Sequence, residues 1–301
     1  MTAALQTPGV ALGAQELIAL RRVILQATAR PVLANLPGGY ATKRKGHGLE
    51  VADMREYVAG DDIRHLDRNA TARTGRMHIR QFQQERDRVS LLVADFRPSM
   101  FWGLRRALRS VGAAEALALI GWSVVENGGR VGLFAITPGA PVIVPARGRV
   151  RGMLDVIGGL VRAHQEALGA ISGGTGEDPP LDQALSRVDR LVPSGAELVI
   201  ASGFDQPGTN LEDRLAALER RRTPRLVSIT DAALHAMPQG RYPVRLADGR
   251  RVRLTLGAKD ARAPVLEDAV AGRPALVLDA GEPVAQTARR VAAAFPVERG
   301  G

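Results

Sequence analysis

Val89-Ser90-Leu91-Leu92-Val93-Ala94-Asp95-Phe96-Arg97-Pro98-Ser99-Met100 is the stretch on which the reading of this chain turns. The mostly apolar run Val89 to Ala94 predicts a buried strand, since it is too short for a helix. A long helix is predicted from Arg105 to Glu126, ended by the C-cap signal Asn127-Gly128-Gly129. A strand that ends in Asp-x-x-x-Ser and leads into a helix places oxygen-bearing side chains at the carboxyl edge of a parallel sheet. Ligand sites of open α/β sheets lie at that edge.

Downstream, strands and helices alternate. Strands are predicted at Arg130 to Ile136, Leu198 to Ala201 and Leu226 to Ile229. Helices are predicted at Val150 to Gln165, Leu181 to Leu191 and Leu211 to Arg221. This order implies a mostly parallel sheet covered by helices on both faces. Pro141 to Val144 reads as a short antiparallel strand. Tyr242 to Leu256 reads as a hairpin around Asp248-Gly249. Ala275 to Leu278 reads as an edge strand, and Glu282 to Phe295 as a last helix.

Upstream, Gln15 to Ala29 has apolar residues at helical spacing, and Met77 to Phe82 is a strand candidate within a polar segment, Ala41 to Arg88. The organisation read from these patterns is an N-terminal helix with an accessory charged segment (1–88), an α/β domain (89–235) and a C-terminal hairpin and helix extension (236–301).

Composition narrows the chemistry. Of 301 residues, 45% are hydrophobic and only 4% aromatic, so the core is built from Val, Leu, Ile and Ala. There is no Cys, which excludes disulfides, thiolate catalysis and Cys-built zinc sites. The five His residues show no zinc spacing. Ser172-Gly173-Gly174-Thr175-Gly176 lacks the Gly-Lys-Ser/Thr of a triphosphate loop. The N-terminus has no signal-peptide pattern, and no apolar run spans a bilayer, so a cytoplasmic protein is expected. Lys and Arg outnumber Asp and Glu by 41 to 31, a net charge of +10. The excess is Arg scattered along the chain, so nucleic acid is not the expected partner, although an Arg-rich binding surface is an alternative.

Two groups of residues carry candidate chemistry. The first is the loop after Val89 to Ala94. It is similar to the metal-ion-dependent adhesion site of von Willebrand factor A domains, which uses Asp-x-Ser-x-Ser, a Thr from a later Gly-rich loop and an Asp after a later strand. Asp95, Ser99 and Thr175 match; Arg97 replaces the first Ser, and Gly203 stands where the last Asp is expected. An Arg has no lone pair for a metal, but its charge can take over the cation's role beside Asp95. The second group is Arg55, Asp61, Asp62, Arg64, Asp67 and Arg73. It reads as an ion-pair network pinning an irregular segment, with a metal-dependent hydrolase as the competing reading.

Taken together, the motifs resemble the bacterial "domain of unknown function 58" family, which is itself similar to von Willebrand factor A domains. They are Gly46-His47-Gly48-Leu49-Glu50-Val51, Arg55-Glu56-Tyr57-Val58-Ala59-Gly60-Asp61-Asp62-Ile63-Arg64, Asp67, Ala72-Arg73, Glu85, and Asp95 through Met100. The resemblance implies a von Willebrand factor A-like, Rossmann-type fold. It also implies a non-enzymatic adaptor that works with a MoxR-type AAA+ ATPase on a client protein in maturation or complex assembly. Its partner-binding residues would be Asp95, Arg97, Ser99 and Thr175; the change of the first Ser to Arg97 further leads us to expect that Arg97 receives a partner carboxylate as a bidentate pair. No cofactor is expected, Mg²⁺ at a degenerate site of Asp95, Ser99 and Thr175 being the one candidate.

Overall fold

Strand β3 (Val89–Asp95) is buried at every position after Val89, so it has neighbours on both edges and helices on both faces. In the computed structural model the described residues are 6–29, 50–58, 63, 66–83, 88–174, 178–191, 193–245, 250–256 and 269–295. They divide into two units, one of residues 1–40 with 89–301 and one of residues 41–88.

The larger unit is built on a seven-stranded sheet. In chain order its strands are β3, β4 (Arg130–Ile136), β5 (Val142–Gly148), β6 (Glu197–Ser202), β7 (Thr223–Thr230), β10 (Ala269–Val270) and β11 (Arg273–Asp279). Their spatial order is β10-β11-β7-β6-β3-β4-β5. The inner strands run parallel; β5 and β10 close the two edges antiparallel. The alternation of side chains along β3 feeds two cores. Leu92 and Ala94 join Leu117, Ile120, Trp122 and Met153 on one face. Leu91 and Val93 join Leu181, Leu198, Ile200 and Leu215 on the other.

Four helices cover the first face: α1 (Ala14–Ala29), α3 (Arg109–Glu126), α4 (Arg149–Ser172) and α7 (Val284–Ala294). Helix α3 is apolar nearly all round and is the buried centre of that layer. Helices α5 (Leu181–Ala184) and α6 (Leu211–Glu219), with the 3-10 turn Leu185–Arg190, cover the second face. A separate two-stranded ribbon is formed by β8 (Gly240–Arg245) and β9 (Arg251–Leu256). No helix among the described residues is long and apolar enough to cross a membrane.

The smaller unit holds β1 (Glu50–Glu56) antiparallel to β2 (His78–Gln83), with helix α2 (Arg68–Thr74) between them.

Several expectations change. Helix α3 starts at Arg109 and not Arg105, because residues 101–108 are drawn into an irregular crossing. There the Leu108 amide bonds to the Gly9 carbonyl and Arg109 to that of Trp102. Gly9 has φ +83, and a Cβ on it would lie 2.1 Å from the Arg106 carbonyl oxygen, so only glycine fits this crossing. The helix expected over Leu181 to Leu191 is one α-turn followed by 3-10. The three-part division is also redrawn. The indole of Trp122 on α3 donates to the Leu17 carbonyl, which ties α1 to the sheet unit. Strand β11 completes the same sheet, lying parallel to β7 and inside the two-residue edge strand β10. The turn Asp248-Gly249 lies outside the described residues; the hairpin strands on either side of it form as expected.

Candidate functional site at the carboxyl edge

Asp95 ends β3 fully buried, 0% exposed, and Arg97 two residues on is 1% exposed. The Arg97 guanidinium grips both carboxylate oxygens. Its Nε donates to Oδ1 at 2.9 Å and its Nη2 to Oδ2 at 2.8 Å, while the Arg97 backbone N–H adds a 3.1 Å bond to Oδ1. The Ser202 hydroxyl, at the end of β6, donates to Oδ2 at 2.6 Å. Each oxygen of Asp95 therefore accepts two hydrogen bonds. The remaining Arg97 nitrogen, Nη1, donates to the carbonyls of Pro179 (2.6 Å) and Gln206 (3.2 Å). The pair thus stitches the first loop to the loops before α5 and after β6. Burial alone would lower the Arg97 pKa, but the hydrogen bond and charge of Asp95, with Asp178 and Asp205, hold it above its ordinary value.

Ser99 faces a carboxylate that the sequence patterns did not single out. Its N–H and hydroxyl both point to Asp178, at 3.1 and 3.4 Å. Burial raises the Asp178 pKa and the Asp95 charge adds to this, against the lowering effect of Arg97 and Ser99. Asp178 also lies 3.9 Å from Arg97 Nη1.

A second guanidinium occupies the place expected of the metal-binding Asp. At Gly203 an added Cβ would lie 1.6 Å from Arg109 Nη2. Arg109, the first residue of α3, donates to the Ile229 carbonyl (2.8 Å) and to Asp205 (2.6 Å), and stacks 5.0 Å from the Trp102 ring centre. Beneath the loop, buried His164 on α4 packs edge-on to Phe96 and against Phe101, with Nε2 at 3.1 Å from the Ser110 hydroxyl. Its burial lowers its pKa to about 4.

A hard divalent ion needs several oxygen ligands free to face it. Here Asp95 is saturated, Ser99 is turned to Asp178, and a guanidinium stands at Gly203. Thr175 lies outside the described residues. Among the described residues no cluster of three His, Asp or Glu side chains could hold a metal. These donors do not fit the ion. The expectation that Arg97 receives a partner carboxylate is also corrected, because the side chain is buried and each of its nitrogens donates to its own chain.

The rim of the edge carries apolar side chains beside exposed Arg105, Asp205 and Gln206. Phe101, Trp102 and Phe204 are partly exposed, and Leu104 is 43% exposed. Phe204 has φ +57, a left-handed conformation that costs a bulky side chain about 1–3 kcal/mol and clusters at functional sites.

The expected ion-pair network falls mainly outside the described residues, which exclude Asp61, Asp62 and Arg64. Of Arg55 only the strand position opposite Ile79 is described. Asp67 caps α2, accepting from the Ala70 N–H at 2.9 Å. Arg73 is exposed in the last turn of that helix, with no ion pair among the described residues.

A mostly parallel sheet covered by helices on both faces, with a polar cluster at its carboxyl edge, defines a mixed α/β protein. The chain belongs to the bacterial family described as "Protein of unknown function DUF58", which it matches over residues 53–265. Uncharacterized proteins of Mycobacterium bovis and of two strains of Mycobacterium tuberculosis are 34% identical to it over 102 residues. That alignment covers 34% of this chain and 32% of each relative. The matched part of the chain thus spans about a third of the length of these curated relatives.

Proposed function

We propose that this protein is a non-enzymatic adaptor with a von Willebrand factor A-like fold, docking a partner protein at its carboxyl edge without a divalent ion. The partner proposed is a MoxR-type AAA+ ATPase, acting on a client in protein maturation or complex assembly. The observation that carries the reading is the contrast at that edge. Its polar centre is bridged internally by Arg97 and Arg109, while Leu104 is exposed and Trp102 and the strained Phe204 are partly exposed. Partly exposed aromatic and apolar anchors around an inert polar floor suit a protein interface.

The test is capture from a bacterial host by the tagged full chain, with Mg²⁺–ATP, with Mg²⁺ alone and with EDTA. A MoxR-type ATPase recovered in all three, and lost with Trp102→Ser/Leu104→Ser, is the expected result. Capture that needs Mg²⁺ without nucleotide would refute the ion-free edge. Capture unchanged by the double variant would refute the docking site.

A further inference from the structure

The β8–β9 ribbon sorts its residues by face. The register pairs Arg241 with Thr255 and Pro243 with Arg253, and places Arg251 next on the same side. Tyr242, Val244 and Val252 alternate onto the other side. The side chains of Arg241, Pro243, Arg251, Arg253 and Thr255 are all exposed. Between Gly240 and Leu256 the sequence has five arginines against one aspartate, a balance of +4 within a chain total of +10. Arg241, Arg251 and Arg253 are thus exposed together on one face of the ribbon.

Elsewhere in the sheet unit several arginines are matched, while others, such as Arg22, Arg151, Arg162 and Arg289, are exposed on helices. Arg21 meets Glu126, Arg97 Asp95, Arg106 Glu115, Arg109 Asp205, Arg225 Glu197 and Arg273 Glu219. Arg241, Arg251 and Arg253 have no ion pair among the described residues. Like charges held on one face of a ribbon repel and destabilise it unless a polyanion binds there.

We propose that this arginine face binds the phosphate backbone of nucleic acid, independently of sequence. An acidic protein partner fits less well. Protein interfaces are centred on apolar or aromatic anchors with charge at the rim, and this face offers only guanidinium groups, a hydroxyl and Pro243. The aromatic residue of the ribbon, Tyr242, lies on the other side and spends its hydroxyl on the Pro238 carbonyl. Arg and Thr are the side chains that contact phosphate oxygens. A two-stranded ribbon also has the width that the major groove of duplex DNA admits, about 12 Å. The strand rise of about 3.4 Å per residue sets Arg251 and Arg253 about 7 Å apart, so each meets a separate phosphate.

The experiment is fluorescence anisotropy of a labelled 20-base-pair duplex of arbitrary sequence, titrated with the full chain at several salt concentrations. Three neutralised phosphates give a log–log slope of about −2.7, so affinity falls about 40-fold between 50 and 200 mM salt. Arg241→Gln/Arg251→Gln/Arg253→Gln should abolish this binding with a melting temperature unchanged or slightly raised, because all three side chains are exposed and their mutual repulsion is relieved. Arg22→Gln/Arg289→Gln, which removes exposed charge from α1 and α7, should preserve it. Absence of wild-type binding, equal loss in the two variants, or equal competition by polyglutamate at matched charge would each overturn the proposal. None of these outcomes bears on the carboxyl edge, so the adaptor reading stands or falls separately.

Discussion

Arg97→Met is the most direct probe of the carboxyl edge. Methionine fills much of the same volume and keeps the backbone bond to Asp95, but it removes the two charge-assisted bonds from Nε and Nη2. Asp95 is then a carboxylate at 0% exposure, held by the Ser202 hydroxyl and one backbone N–H. Removing one partner of a buried ion pair costs about 3–5 kcal/mol. The carbonyls of Pro179 and Gln206 also lose their donor. For a unit of this size about 4 kcal/mol corresponds to a fall in melting temperature of roughly 8–16 °C. Asp95→Leu/Arg97→Met removes both charges and should recover about 2 kcal/mol of that loss, since apolar replacement of a buried pair is often close to neutral. Urea unfolding followed by fluorescence reads this out, because Trp102 and Trp122 both lie in the sheet unit. An Arg97→Met variant within about 1 kcal/mol of wild type, or a double variant worse than the single one, would refute the account of the pair as mutually required.

Two further outcomes follow from the same region. His164 is held neutral by burial, with a folded pKa of about 4 against an ordinary 6.5. The unfolded chain therefore binds more protons between those values, and stability falls as pH drops through that window and levels below it. His164→Gln should remove about 3 kcal/mol of the loss between pH 6.5 and 4, measured as the difference in urea midpoints; an unchanged pH profile would contradict the assignment. Gly203→Ala places a Cβ where Arg109 Nη2 stands, so the guanidinium must leave Asp205 and the Ile229 carbonyl. A loss of about 1–3 kcal/mol is expected, and a variant as stable as wild type would show the guanidinium has room to shift.

The sheet was legible because its strands are buried on both faces and read as short apolar runs: β3 and β4 fall within a residue of their predicted bounds. What misled was local propensity overridden by distant contacts. Residues 105–108 favour a helix, yet the Arg106 side chain is bound to the Ala280 carbonyl and to Glu115, and Leu108 to Gly9. At the site, the pattern Asp95-x-Arg97-x-Ser99 carried its own meaning, because a guanidinium two residues beyond a buried carboxylate can close back on it. Asp178 and Arg109 were not legible. Asp178 lies 79 residues from Ser99, and Arg109 lies 96 from Asp205. Only the meeting of loops at one sheet edge brings them together. Gly203 gave a signal of this kind: a glycine where a carboxylate was expected marks space taken by something else.

The sheet unit is interrupted in sequence, with residues 41–88 lying between helix α1 and strand β3. During synthesis α1 leaves the ribosome before the sheet strands, carrying Leu17, Leu20 and Ile24 as an apolar stripe. The Trp122 indole that anchors Leu17 follows 105 residues later. At about 5–20 residues per second that is a wait of roughly 5–20 s. The nascent chain thus carries a sticky helix through an interval far longer than helix formation itself, which takes about a microsecond. Growth at low temperature, which slows elongation, lengthens the period in which α1 is open to chaperones and to capture by other nascent chains.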